Sequence, residues 1–223
     1  MSKLTEQQLR EIAGQLGKPE GADGIMTAER MAHTNNNMTK SAIEALDIAK
    51  GDVVLEIGPG NGTHVKDLMT KASGIRYYGV DISDTMVAEA NRINEAEVNK
   101  GQVSFSLTAA DKLNFDDEFF DKIFTVNTLY FWADPLAYAA EIKRVLKHGG
   151  LFCLAIGTKE FMEKLPFTKY RFKLYDASDA EQLFRSAGFI VTDVKQQKDL
   201  TTSHTGEIVD RDIIIMTARR DGK

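Results

Sequence analysis

The chain has a single cysteine, Cys153, so it can form neither an internal disulfide nor a multi-cysteine zinc site. It has only four prolines and one tryptophan in 223 residues, and no proline- or glycine-rich tract that would read as a linker. No apolar run approaches the ~18 residues of a membrane span. The N-terminal MSKLTEQQLREIAGQLG lacks the apolar core of a secretory signal, so the expected compartment is the cytoplasm. Positive charge is not in excess. Lys and Arg number 28 against 33 Asp and Glu, and the resulting −5 disfavours a general affinity for nucleic acid or anionic lipid. None of the four histidines has metal-like spacing with another ligand, and no metal is expected. What is present is an ordinary globular balance, 43% hydrophobic and 27% charged. A chain of this length can bury roughly 70% of its unfolded surface, which favours one structural domain.

The order of elements follows from hydrophobic period and punctuation. An amphipathic helix (Leu9, Ile12, Ala13, Leu16) opens the chain, and a loop around Pro19-Glu20-Gly21 follows. A second helix is expected over residues 39–48. The pattern then alternates. Short apolar strands are read at residues 52–57, 76–81, 102–107, 120–126 and 151–156, with helices between them. One helix starts near Ser83 or Asp84, and another runs over 135–147 to a stop at Gly149-Gly150. Ser178 with Glu181 reads as a capping box for a helix ending before Gly188, and two last strands are expected at 190–195 and 212–218. The expected fold is α/β: a Rossmann-like, doubly wound sheet of about seven strands, mostly parallel with the last strand antiparallel, helices on both faces. Ligands of such sheets bind beyond the carboxyl ends of the strands at the switch point, which directs attention to the loops after Ile57, Asp81, Leu107 and Val126.

The first of these loops is Glu56-Ile57-Gly58-Pro59-Gly60-Asn61-Gly62. Its glycines let backbone turn tightly and approach a ligand. The spacing is E-x-G-x-G-x-G. In the dinucleotide fingerprint G-x-G-x-x-G the third glycine would fall on Thr63. An acid at the strand end repels a pyrophosphate and suits a ligand that carries an ammonium and a sulfonium. No Gly-Lys-Ser/Thr follows, so this is not a Walker loop. Asp81 stands nineteen residues beyond Gly62 at the end of the second strand, where a carboxylate accepts from ribose hydroxyls. Enzymes using NAD share that feature.

With five segments in order, VVLEIGPGNG (53–62), GVDIS (79–83), AADKLNF (109–115), FDKIFTVNTLYFWADP (120–135) and RVLKHGGLF (144–152), the chain resembles the class I S-adenosylmethionine-dependent methyltransferases. It is most similar to the small-molecule type grouped with ubiquinone and menaquinone C-methyltransferases. The resemblance covers about residues 31–189. It implies that S-adenosylmethionine is the cofactor, with Glu56, Gly58, Pro59, Gly60 and Gly62 at its methionine part. It places Asp81 on the ribose hydroxyls, Ile82 against the adenine, Ala110 and Asp111 at the adenine amino group, and Asn127 at the methionine end. Residues 1–50 would form a helical lid and 51–223 the cofactor-binding domain, within one structural unit. Two departures stand out: His148 replaces the proline of the usual turn, and the adenine loop reads DKLNF, so only Asp111 carries over from it.

The reaction read from this is methyl transfer to a small organic acceptor through an unspecified O, C or N nucleophile. No general base is legible, and Tyr130 and Tyr170 are the weak catalytic candidates. Asn127-Thr128-Leu129-Tyr130 departs from the Asn-Pro-Pro-Tyr pattern of amide and base N-methylation. Tyr130-Phe131-Trp132 offers aromatic faces to a sulfonium, with one of the three expected to face the site. His64 reads as a helix-surface residue and Cys153 as inert core. The aromatic and basic stretch 159–175 is a wall for an apolar or acidic substrate, a grip on nucleic acid, or a packed connection with a solvated face. Two other functions compete: a non-catalytic S-adenosylmethionine-binding protein on the same fold, and an NAD(P)-dependent oxidoreductase. A homodimer is a possible assembly; nucleic acid is not an expected partner.

Overall fold

The structure, a computed structural model, describes residues 4–108, 112–202 and 208–222. Three helices come first: α1 (Glu6–Gly17), α2 (Gly21–Thr34) and α3 (Asn36–Ala45). Then follow β1 (Val53–Ile57), α4 (Val65–Met69), β2 (Arg76–Asp81), α5 (Asp84–Ile93), α6 (Glu95–Asn99), β3 (Val103–Leu107) and β4 (Phe120–Val126). The chain continues through α7 (Pro135–Val145), β5 (Leu146–Gly157), α8 (Lys159–Met162) and α9 (Ala177–Ser186) to β6 (Phe189–Thr202) and β7 (Ile208–Arg220).

The strands form one seven-stranded sheet in the order β3-β2-β1-β4-β5-β7-β6. Neighbours among β1 to β5 are parallel, and β7 runs antiparallel to both β5 and β6. This is the doubly wound sheet expected from the alternation of strands and helices. The alternating side chains of the strands divide the core in two. Val54, Tyr77, Phe124 and Cys153 pack with Met38, Ala42 and Ile43 of α3, Val65 and Leu68 of α4, and Ala90 of α5. Leu55, Ile123, Phe152 and Met216 pack on the other face with Ala139 and Ile142 of α7 and Phe184 of α9. From β1 the chain builds outward to β2 and β3, then crosses to β4 and β5. The connections therefore diverge above β1 and β4, which opens the crevice where ligands bind in such sheets.

Three local readings change. Residues 21–34 form α2, a helix not singled out between the loop at Pro19-Glu20-Gly21 and the helix expected from residue 39. Its buried positions are Gly24 and Ala28, too small to mark a stripe, and its N-cap, Glu20, makes no side-chain cap bond. Gly24 lets the helix cross close to Pro19: a Cβ there would lie 2.6 Å from the Pro19 carbonyl carbon. The capping box of α9 is formed by Asp176 and Asp179, not Ser178 and Glu181. The Asp176 carboxylate accepts from Asp179 N at 2.8 Å, and the Asp179 carboxylate returns a bond from Asp176 N at 3.2 Å. A carboxylate two residues earlier captures Asp179 N instead, so the helix starts two residues before the point that a cap at Ser178 would set.

The last hairpin also runs well past its apolar part. Asp199 of β6 pairs in register with Arg211 of β7, and their side chains form a buried ion pair at 2.5 Å. Charged residues that read as loop therefore lie inside the ladder. No helix among the described residues is long and apolar enough to cross a membrane.

Phe152 has no exposed surface and stacks on Phe184 at 4.7 Å between ring centroids, joining β5 to α9. Phe152→Ala is expected to lower the unfolding free energy by about 3–5 kcal/mol in a denaturant titration. A loss below about 1 kcal/mol would contradict this packing.

Candidate functional site

At the switch point the end of β1 runs into a loop whose Gly58 and Gly60 both have positive φ, +75° and +57°. Gly58 N donates to Val80 O at 2.8 Å, which holds the loop against β2. A Cβ on Gly58 would lie 2.4 Å from Thr128 Cγ2, while one on Gly60 would meet open space. The loop is thus packed on the side of β4 and open at Gly60. It floors a cavity of about 370 Å³, within the range of small-molecule sites.

Two acids stand at this floor. Asp81, at the end of β2, is buried and accepts Ser83 N on Oδ1 (2.9 Å) and Gly60 N on Oδ2 (3.2 Å). Burial pushes its carboxyl up to about 6, against the lowering pull of those backbone N–H groups, and the nearby Glu56 charge adds to the rise. Glu56, only 2% exposed, accepts two bonds on Oε2, from Tyr77 OH at 2.5 Å and His64 Nε2 at 2.7 Å. Burial opposes charge on the His64 ring, but attraction and hydrogen bonding to Glu56, with help from Asp67, raise its pKa overall.

The far wall is set by β4 and its continuation. Asn127 sits in the left-handed region at φ +57°, a conformation uncommon outside glycine. Its backbone N–H donates to Ala155 O at 2.9 Å, and its side-chain Nδ2 donates to Asn35 Oδ1 at 3.2 Å. Arg211 Nη1 donates to the same Asn35 oxygen at 2.8 Å, and Nη2 donates to Thr34 O at 3.1 Å. The buried Asp199–Arg211 pair therefore grips the α2–α3 junction, and through Asn35 the loop after β4. The rim comes from the first helices: Leu16, Pro19, Ala28, Met31 and Ala32 line the cavity together with Phe131 and Trp132. That rim is tied to α5, because Ser83 Oγ donates to Pro19 O and Gly21 N donates to Thr85 Oγ1 at 3.1 Å.

Residues 55–154 match the family model described as a methyltransferase domain. Over that stretch the chain is similar to the S-adenosylmethionine-dependent methyltransferases of class I. Over 52% of its length the chain is 33% identical to the methyltransferase YrhH of Bacillus subtilis (strain 168), and that alignment spans 63% of YrhH. It is 24% identical to the O-methyltransferase resE of Aspergillus sclerotiorum, over 77% of this chain and 67% of that protein. Among solved structures, a chain from the complex of the Haloferax volcanii Trm112 methyltransferase activator with a methyltransferase superposes with a TM-score of 0.76. The two chains are covered to 95% and 98%, at 22% identity, a likeness of fold.

The cofactor of a methyltransferase domain of this class is S-adenosylmethionine, and the chemistry of the cavity suits it. A buried carboxylate with lone pairs to spare meets hydroxyls, while an acid paired with an imidazole meets a group bearing both an ammonium and a carboxylate. Of the residues singled out in the sequence, Glu56, Gly58, Pro59, Gly60, Asp81, Ile82 and Asn127 line the cavity. Gly62 does not; it backs onto Asn94 and Phe105, where a Cβ would meet atoms at 3.0 and 3.2 Å. Ala110 and Asp111 lie outside the described residues.

Tyr130 and Tyr170 are not on the cavity wall. The buried Tyr130 hydroxyl accepts from Gly157 N at 2.7 Å and lies 3.2 Å from both Gly157 O and Asn127 Oδ1, so it braces the β4 loop against β5. Burial raises its pKa well above the ordinary phenol range. Tyr170 carries the Arg10 guanidinium over its ring at 4.4 Å. In the 159–175 stretch, Phe172 packs on Phe131 at 4.6 Å and on Tyr130 at 5.5 Å, as a packed connection would. His64 is not the surface residue expected: it lines the cavity, bonded to Glu56. Strand parity was the available signal for its setting. Glu56 and Tyr77 face the same side of the sheet, under the start of the helix that His64 opens.

Gly58→Ala combines a positive φ with the contact to Thr128, and is expected to cost about 1–3 kcal/mol of stability. Thr128→Ser in the same chain removes Cγ2 and should recover part of that loss, leaving the backbone share. Denaturant titration of the two variants checks this; no recovery would contradict the close approach.

Proposed function

We propose that this chain transfers the methyl group of S-adenosylmethionine to a small organic acceptor that enters past the N-terminal helices. Glu56, Gly58, Gly60, Asp81, Ile82 and Asn127 are the described residues of the cofactor site in this reading, with Pro59 and Gly62 shaping the loop. The resemblance adds Ala110 and Asp111. The observation that carries the reading is Asp81, buried beside Gly60, with each carboxylate oxygen holding one backbone N–H and room for another donor. Ribose hydroxyls are such donors. Glu56 on the same floor disfavours a pyrophosphate, which separates this site from a dinucleotide site.

When bound, the cofactor supplies a sulfonium-activated methyl group, so the leaving group is built in. The protein's part is alignment and exclusion of water. Asn127, fixed from both sides by Ala155 and Asn35, defines the wall at the end of β4. Residues 1–50 act as a helical lid, with α1 and α2 supplying the apolar rim that keeps water from the acceptor. The likeness to an O-methyltransferase makes a hydroxyl the first nucleophile to test.

Asp81→Ala is expected to weaken S-adenosylhomocysteine binding by about 1–3 kcal/mol, because ribose hydroxyls would lose their acceptor. The pH dependence has a definite sign. The acceptor form of Asp81 is the carboxylate, and its pKa is about 6. Wild-type affinity should therefore fall as pH drops through about 6, and Asp81→Asn should lack that limb. Calorimetric titrations from pH 5 to 8 read both effects. Unchanged affinity in Asp81→Ala, or a flat wild-type profile, contradicts the ribose assignment. Binding without transfer of labelled methyl to any of a panel of hydroxyl, amine and carbon acceptors would favour the non-catalytic alternative.

A further inference from the structure

The described residues that line the cavity include three acids, Glu56, Asp67 and Asp81, and no lysine or arginine. Such a wall suits the ammonium and sulfonium of the cofactor, yet its methionine end also carries a carboxylate. Backbone N–H groups of the loop can meet part of that charge. One side chain on the wall, His64, can carry a positive charge.

Its placement is specific. His64 follows the glycine loop by two residues, and its Nε2 is held by Glu56 Oε2 at 2.7 Å. Glu56 is itself fixed by Tyr77 OH at 2.5 Å, so the pair has little freedom to turn away. The side chain is 17% exposed, and it lines the cavity. The charged and titratable groups around it all favour the imidazolium: Glu56 from β1 in contact, Asp67 from its own helix α4, and Asp81 elsewhere on the wall, with the Tyr77 phenol of β2 behind Glu56. A neutral ring beside a buried carboxylate would leave that acid with less compensation than an ion pair gives.

We propose that His64, kept as an imidazolium by Glu56, is the side chain that receives the methionine carboxylate of S-adenosylmethionine. Glu56 and His64 together then present one negative and one positive charge to a zwitterionic group. This assignment rests on the cofactor reading of the preceding subsection. It also makes affinity pH-dependent on the alkaline side. The imidazolium, and with it the carboxylate contact, is lost as pH rises through a pKa that lies above the ordinary value of 6.5. Asp81 acts at the opposite, acid limb.

The test compares S-adenosylmethionine with its decarboxylated analogue, which keeps the adenosine, sulfonium and amine. Calorimetric Kd values for both are measured at pH 6.5 to 9 on wild type and His64→Gln. Wild type should prefer the carboxylate-bearing ligand by about tenfold or more near neutral pH, the scale of a hydrogen bond to a charged group. That preference should shrink as pH rises. In His64→Gln the preference should collapse and lose its pH dependence, while the analogue's affinity changes little. A purely structural role for His64 would weaken both ligands alike and leave their ratio intact, which overturns the proposal. So does an equal ratio in the two proteins. Should His64→Gln fold poorly, the imidazole resonances of wild-type His64 answer the same question. S-adenosylhomocysteine, which also bears the carboxylate, should raise its pKa further, and an unmoved or lowered pKa overturns the assignment. Failure of wild type to bind either ligand would overturn the cofactor reading itself, and this proposal with it.

Discussion

An ionised carboxylate buried at the end of a central strand costs several kcal/mol unless it is paired and hydrogen-bonded, and Glu56 is 2% exposed there. The arrangement of the cavity follows from meeting that cost. Tyr77 is drawn in from β2, and its phenol, buried and beside the Glu56 charge, is pushed well above its ordinary pKa. His64 is drawn in from the loop-to-helix turn. The negative charge that remains helps raise Asp81, the second acid of the floor. Acids placed this way disfavour phosphates and suit cations. In the proposed reading, that preference distinguishes this glycine loop from dinucleotide loops of similar outline.

Much of the sheet was legible because its central strands are apolar on both faces. Residues 76–81 and 120–126 were read with the boundaries the structure has, and the readings at 52–57 and 102–107 differ by one residue. Glu56 and Asp81 were legible as acids placed where a carboxylate in a strand end is otherwise unwelcome. The remainder was hidden for physical reasons. The inner face of α2 is glycine and alanine, so close packing replaced hydrophobic periodicity. The outer part of β6 reads Lys-Gln-Gln-Lys-Asp, and only the cross-strand partner Arg211 makes Asp199 a buried residue. For His64 the sequence offered only the strand parity that puts Glu56 and Tyr77 on one face; that the first turn of α4 converges on β1 is a fact of tertiary structure. Aromatic candidates such as Tyr130 carry no local mark that separates a brace from a base; its bonds to Gly157 supply it.

The Asp199–Arg211 pair gives the last hairpin a role beyond closing the sheet. Arg211 reaches Thr34 and Asn35, Thr201 Oγ1 donates to Thr34 O at 2.6 Å, and Asn37 Nδ2 donates to Leu200 O at 2.9 Å. The α2–α3 junction is thereby held at the wall that Asn127 shares. The two ends of the chain thus meet around the cavity: N-terminal helices form its rim, and the C-terminal hairpin fixes where that rim stands. The start of α5 completes the ring through its N-cap Ser83 and its second residue Thr85.

The central claim is that an acid beneath a glycine loop selects an S-adenosyl ligand, through its ammonium, over a dinucleotide. Parallel calorimetric titration of the purified chain with S-adenosylhomocysteine and with NADH tests it most directly. The account predicts saturable one-to-one binding of S-adenosylhomocysteine and no heat of binding from NADH. Saturable binding of NADH with none of S-adenosylhomocysteine would contradict it, and would leave the buried Glu56 pairing without a ligand to explain it.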